Sequence, residues 1–200
     1  MCAALGPGAF AAAAFVGARR EPGYLQRDRP ISALAAHGSQ AASVMVPGFL
    51  ALGGATMALG GALRGSPAAP DPVPAMVTIA GLTTIGAGLA RNSDPSCPTR
   101  GLNNGVPQPT DDAHMAVSFV TFSLWIAAPL VAARRAVDAS PGYRRASAVL
   151  GLAGLAILVG GSPLARSESK RGSGWAQRAM LVSLLGWQPV VALASRLRRA

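Results

Sequence analysis

The chain has 200 residues, half of them apolar and only 13% charged, with 18 basic against 8 acidic residues and a formal net charge of +10. An ordinary soluble domain carries about 25% charged residues, so this composition excludes a conventional soluble globular protein. It also argues against a nucleic-acid binder, because the arginines flank apolar runs without an aromatic stacking platform or a known binding motif.

Six stretches lack any charged residue: about 1–18, 41–63, 72–90, 115–133, 146–165 and 179–195. Crossing the hydrocarbon core takes about 20 mostly apolar residues in a helix, within a range of about 17–25. The pattern predicts an all-α polytopic membrane protein, a six-transmembrane-helix bundle forming one integral membrane domain over 1–200. No positive region precedes the first run, and Arg19 and Arg20 follow it. That order predicts a retained first helix rather than a cleaved signal peptide.

The first connection, GARREPGYLQRDRPISALAAHGSQ, is punctuated by Pro22, Gly23 and Pro30. Its ISALAAHG stretch predicts a short interfacial helix. The second run contains Gly53-Gly54 and Gly60-Gly61, seven residues apart and so on one helix face. Gly81, Gly86 and Gly88 follow in the third run, and Gly151, Gly154, Gly160 and Gly161 in the fifth. Small residues let helix backbones approach closely in lipid. The glycines therefore predict tight packing, with a glycine-lined groove as the alternative. Pro47 predicts a kink near the start of the second helix.

The longest polar connection, RNSDPSCPTRGLNNGVPQPTDD, has no periodic apolar pattern and reads as irregular. Its Cys97 falls on the opposite membrane face from Cys2, which predicts no disulfide between them. Thr110 is placed to cap the fourth helix, with Asp111 and Asp112 in its first turn. Asp111, His114, Ser118, Thr121 and Trp125 share one face of that helix. This face reads either as a capped, packed helix end or as a ligand or proton site.

On this topology Ser32, His37, Asp94, Asp111, His114, Gln177 and Arg178 fall on the membrane side opposite the termini and form the candidate polar site. Two histidines fall short of the usual zinc-hydrolase set. The sequence contains neither a phosphate-cradling loop with lysine nor a GxSxG motif. No catalytic set, metal site or cofactor is therefore predicted. If buried, Arg178 is expected to need a carboxylate partner, Asp94 or Asp111. Counting basic residues does not decide orientation, since slightly more lie opposite the termini. The compact connection after the fourth helix, with Arg134, Arg135, Arg144 and Arg145 close to helix ends, favours both termini inside.

Four motifs occur in order along nearly the whole chain: PGYLQRDRPISALAAHG, GAGLARNSDPSCP, DDAHMAVSF and GWAQRAMLVSLLGW. In this order the chain resembles a mostly actinobacterial six-helix membrane family, domain-of-unknown-function family 998. The resemblance implies a six-helix bundle with both termini inside and no particular activity. By position it highlights Ser32, Asp94, His114, Gln177 and Arg178. The expected role is a non-enzymatic, multi-pass cell-membrane protein contacting envelope lipids or protein subunits. The alternative is a small membrane enzyme or transporter with an outer-face site around Asp94, His114 and Arg178.

Overall fold

The computed structural model describes residues 2–93, 109–166 and 171–196. The described residues form six α-helices and one short 3-10 helix. These are α1 (Cys2–Arg20), α2 (Ala42–Ala62), α3 (Val73–Leu89), α4 (Pro109–Arg135), α5 (Pro141–Arg166) and α6 (Ser173–Arg196). The 3-10 turn, Ile31–Ala35, lies between α1 and α2. It falls within ISALAAHG, where a short helix was expected. Helices next to each other in sequence pack side by side, and α6 returns against α1, α2 and α4.

Among the described residues, four helices carry spans long and apolar enough to cross a membrane: Ala42–Ala62, Pro109–Arg135, Pro141–Gly161 and Ser173–Arg196. Val73–Leu89 is a shorter apolar helix of 17 residues. Phe119, Val149, Leu152, Val159, Val182 and Leu193 all point outward and are more than half exposed. Such an outer surface would be costly in water and suits lipid. The chain is an integral membrane protein built as a helical bundle.

The last three helices begin earlier than their charge-free runs. Arg144 and Arg145 lie inside α5, and Arg178 lies inside α6. Charge marks where the hydrocarbon ends, whereas backbone hydrogen bonding carries the helix onward into the head groups. Thr110, expected as an N-cap, is already in the first turn, because α4 starts at Pro109. Pro47, Pro129 and Pro189 sit within continuous helices. Most of the connection read as irregular, with Cys97 and its disulfide question, lies outside the described residues.

The glycine pairs pack by halves. A Cβ built on Gly53 would lie 2.6 Å from the Gly81 carbonyl oxygen, and one on Gly81 would lie 2.6 Å from that of Gly53. One turn-pair along, Gly60 faces Thr78 and Pro74, and Gly88 faces Phe49. Gly54 and Gly61 meet nothing within 4 Å. Of each pair, then, one member lets α2 and α3 touch backbone to backbone and the other faces outward. Across other contacts, Gly48 accepts Ala13, and Gly154 accepts Leu184.

Polar side chains add ties between helices where no water competes. Gln188 Nε2 donates to Thr56 Oγ1 at 3.1 Å, joining α6 to α2. Trp187 Nε1 donates to Ser147 Oγ at 3.0 Å, joining α6 to α5. At the end of the bundle holding the chain termini, Tyr143 OH donates to the Ala68 carbonyl at 2.6 Å.

Candidate functional site

At the other end, residues 21–41 fold inward over the helix ends. The 3-10 turn buries Ile31, Ala33, Leu34 and Ala35, which join Phe10, Met45, Met180 and Leu181 in one apolar cluster. Burying an apolar turn also brings its backbone polar groups out of water, so each needs a partner. The polar residues singled out from the sequence supply many of those partners.

Gln177 and Arg178, in the first turns of α6, hold the first half of the segment. Gln177 Oε1 accepts the Ile31 N–H at 2.7 Å. Arg178 is half-buried, and its Nη1 donates to the carbonyls of Gln26 at 2.5 Å, Gly174 at 2.9 Å and Arg29 at 3.1 Å. Its Nη2 donates to Tyr24 Oη at 2.7 Å. Among the described residues its partners are four neutral oxygens, and Asp111 is not one of them. A planar guanidinium with five donors can serve them all and still be well solvated by the protein. The one ion pair among the described residues lies nearby, between Arg27 and Asp28 at 2.9 Å.

The entry to α6 is shaped for the same contact. Gly172 has a φ of +82°, a conformation costly for any residue with a Cβ. Its N–H donates to Asp28 Oδ1 at 2.9 Å, while Ser173 Oγ donates to the Asp28 carbonyl at 2.8 Å. The hydrogen bonds from Arg27 and from the Gly172 N–H hold the Asp28 carboxyl below its ordinary pKa. Gly174 lies against the Gln26 and Arg29 carbonyls and the Arg178 guanidinium, with no room for a side chain.

The second half of the segment is held by the end of α3. Arg91 donates from Nε to the Ala35 carbonyl and from Nη2 to that of Ala36, both at 2.8 Å. The His37 N–H donates to the Asn92 carbonyl at 2.8 Å. The His37 side chain is exposed. Ser32 is half-buried and makes no side-chain hydrogen bond to the described residues.

Asp111 and His114 are buried, at 1% and 4% exposure, and join α4 to the end of α3. Asp111 accepts the Ser93 N–H at 2.8 Å and the Ser93 hydroxyl at 2.7 Å. His114 Nδ1 lies 3.0 Å from the Ala87 carbonyl and 2.8 Å from that of Ala90. Carbonyls only accept, so Nδ1 carries the proton and satisfies two carbonyls at the end of α3. Further along the same face, Thr121 Oγ1 and Thr83 Oγ1 are 2.7 Å apart. The face read from the sequence is therefore the one α4 turns inward. Asp94 lies outside the described residues.

The structure thus brings Gln177 and Arg178 to residues 24–31, and Asp111 and His114 to the end of α3. The turn at Ile31–Ala35 bridges the two groups. Sequence reasoning missed Tyr24, Asp28, Arg91, Asn92 and Ser93, although all five sit inside the quoted motifs. Asn92 is the least expected. It is 1% exposed, and neither its Oδ1 nor its Nδ2 has a hydrogen-bond partner. Among the described residues no three His, Cys, Asp or Glu side chains gather as a metal ion would require.

Tyr24 offers a direct probe of the assembly. Burial pushes its phenol above the ordinary tyrosine pKa, and the Arg178 guanidinium pulls partly back. The folded state therefore holds the phenolic proton more firmly than the unfolded chain. Tyr24's contribution to stability should be complete below pH about 10 and fall as pH rises through the folded value. With Tyr143 replaced by phenylalanine, Tyr24 is the sole tyrosine. Its phenolate absorbance should then appear at higher pH than that of a free tyrosine, and Arg178→Ala, which releases the segment, should return it toward the free value. An ordinary titration in both proteins would show that Tyr24 is not packed under the arginine.

The chain belongs to the DUF998 family, described as proteins of unknown function, whose model matches residues 4–194. The four motifs noted in the sequence fall within that match. No curated protein and no solved structure matches the chain.

Proposed function

We propose that the protein is a non-catalytic, six-span subunit of a bacterial cell membrane, with both termini inside and a role in contacting envelope lipids or a protein partner. One observation carries this reading. The polar groups of Arg178, Gln177 and His114 that could do chemistry are turned toward backbone oxygens and N–H groups of this chain. Asp111 likewise holds Ser93. A general acid, base or nucleophile must instead face a space where substrate can sit. In this reading the residues 21–41 form a fixed cap over the outer end of the bundle.

Two measurements test the proposal. Alkaline phosphatase fused after Arg64, Arg100 or Ala139 should be active only at Arg100. Activity at the other two positions would place the termini outside. For the role, the protein is purified with native lipids and partners. A stably retained lipid class or subunit is the expected result. A monomer that turns over a lipid or moves a solute would replace this reading with an enzyme or transporter whose outer-face site lies around Asp94, His114 and Arg178.

A further inference from the structure

A second basic group stands at the end of the bundle holding the chain termini, where α4 meets α5. An open groove of about 380 Å³ is lined there by Ala133, Arg134, Pro141, Arg144, Arg145 and Ala148. Arg144 is half-buried, and its Nε donates to the Ala133 carbonyl at 3.0 Å, which ties it across the groove from α5 to α4. Arg134 and Arg145 are exposed beside it. Among the described residues none of the three forms an ion pair, and Asp138 in the intervening turn comes within ion-pair distance of none of them.

Three like charges in one groove repel each other. The helix ends add to the imbalance. α5 has no acidic residue in its first turn, so Arg144 and Arg145 stand near the positive end of a helix. A bound anion would relieve both terms. Guanidinium groups suit phosphate in particular, because their planar forks can donate two parallel hydrogen bonds.

The surroundings narrow the choice of anion. Ala133, Pro141 and Ala148 give the groove apolar walls. From the groove, the exposed Val149, Leu152 and Leu155 continue along α5 toward the middle of the span. Free phosphate would use only the guanidinium groups. A phospholipid would use those and the apolar track as well.

We infer that this groove binds the headgroup phosphate of an anionic phospholipid through Arg134, Arg144 and Arg145, with the acyl chains lying along the outer face of α5. The inference rests on the lipid-contacting reading above and gives it a place and a lipid class.

Native mass spectrometry of the full chain, released from micelles supplied with phosphatidylglycerol or phosphatidylcholine, tests it. Phosphatidylglycerol should be retained at least about tenfold better. Arg134→Gln or Arg145→Gln should each weaken that retention about fivefold, and the pair roughly 30-fold. Both side chains are exposed and bond to nothing in the fold, and Arg144 stays in place to hold α5 to α4. Arg64→Gln with Arg196→Gln, at the same end but outside the groove, should leave retention unchanged.

Three results would overturn the groove. The paired variant could keep its phosphatidylglycerol, the control pair could lose as much, or inorganic phosphate could displace the lipid at equal concentration. In the first case the wild type still selects anionic lipid, so the broader reading stands while the groove falls. A wild type that retains neither lipid nor partner would remove both.

Discussion

Replacing Gly81 by leucine should prevent α2 and α3 from packing and should cost at least about 3 kcal/mol, the upper end of the usual range for overpacking. The size follows from what the new side chain would meet. Its Cβ would fall 2.6 Å from the Gly53 carbonyl oxygen and 2.7 Å from the Met57 backbone nitrogen. Both are backbone atoms of a continuous helix and cannot turn aside as a flexible side chain could. In lipid, moreover, close packing is itself a main source of helix association. Thermal unfolding in detergent micelles reads the effect directly. Gly54→Leu is the matched control, since a Cβ there meets nothing, and its change should stay within about 0.5 kcal/mol. Equal losses for the two variants would show that the α2–α3 interface does not run through Gly53 and Gly81.

Arg178→Ala should release residues 24–31 from the head of α6. Hydrogen bonds to a charged group contribute about 1.5–3 kcal/mol, and Arg178 spans four acceptors on both sides of the contact. A loss of about 3 kcal/mol in local stability is expected, which raises local opening roughly a hundredfold. Trypsin cutting after Arg27 reports that opening, as does amide exchange at Ile31, whose N–H is held by Gln177. Lysine at 178 should not restore the contact, because a single ammonium cannot reach all four oxygens. Gly174→Ala tests the same contact without removing a charge, since its methyl would press on the Gln26 and Arg29 carbonyls. Both variants should leave α2–α3 packing intact. Unchanged cleavage in both would mean that the segment is held by its apolar turn alone.

The helical class, the apolar spans and the inward face of α4 were legible because they depend on periodicity and composition. Burial of Asp111, His114, Thr121 and Trp125 follows from positions along one helix. Helix ends were less legible, since the charge-free run stops at the head groups while α5 and α6 begin earlier, with Arg144 and Arg178 inside them. The roles of the polar residues were not legible at all. If buried, Arg178 read as a cation needing Asp94 or Asp111. Its partners among the described residues are three carbonyls and the Tyr24 hydroxyl, and a backbone carbonyl looks the same at every position of a sequence.

Residue order alone places this chain in a membrane, packs its helices through small residues and gathers its polar residues in clusters near helix ends. Lipid imposes those features locally, on each helix in turn. Which glycine of each pair meets its neighbour emerges with the packed bundle, because it depends on how α2 and α3 are rotated about their axes. Tertiary packing also decides that residues 21–41 fold onto the bundle. Burying Leu34 and its neighbours strips water from their backbone, and Arg91, Gln177 and Arg178, brought there from α6 and the end of α3, replace it.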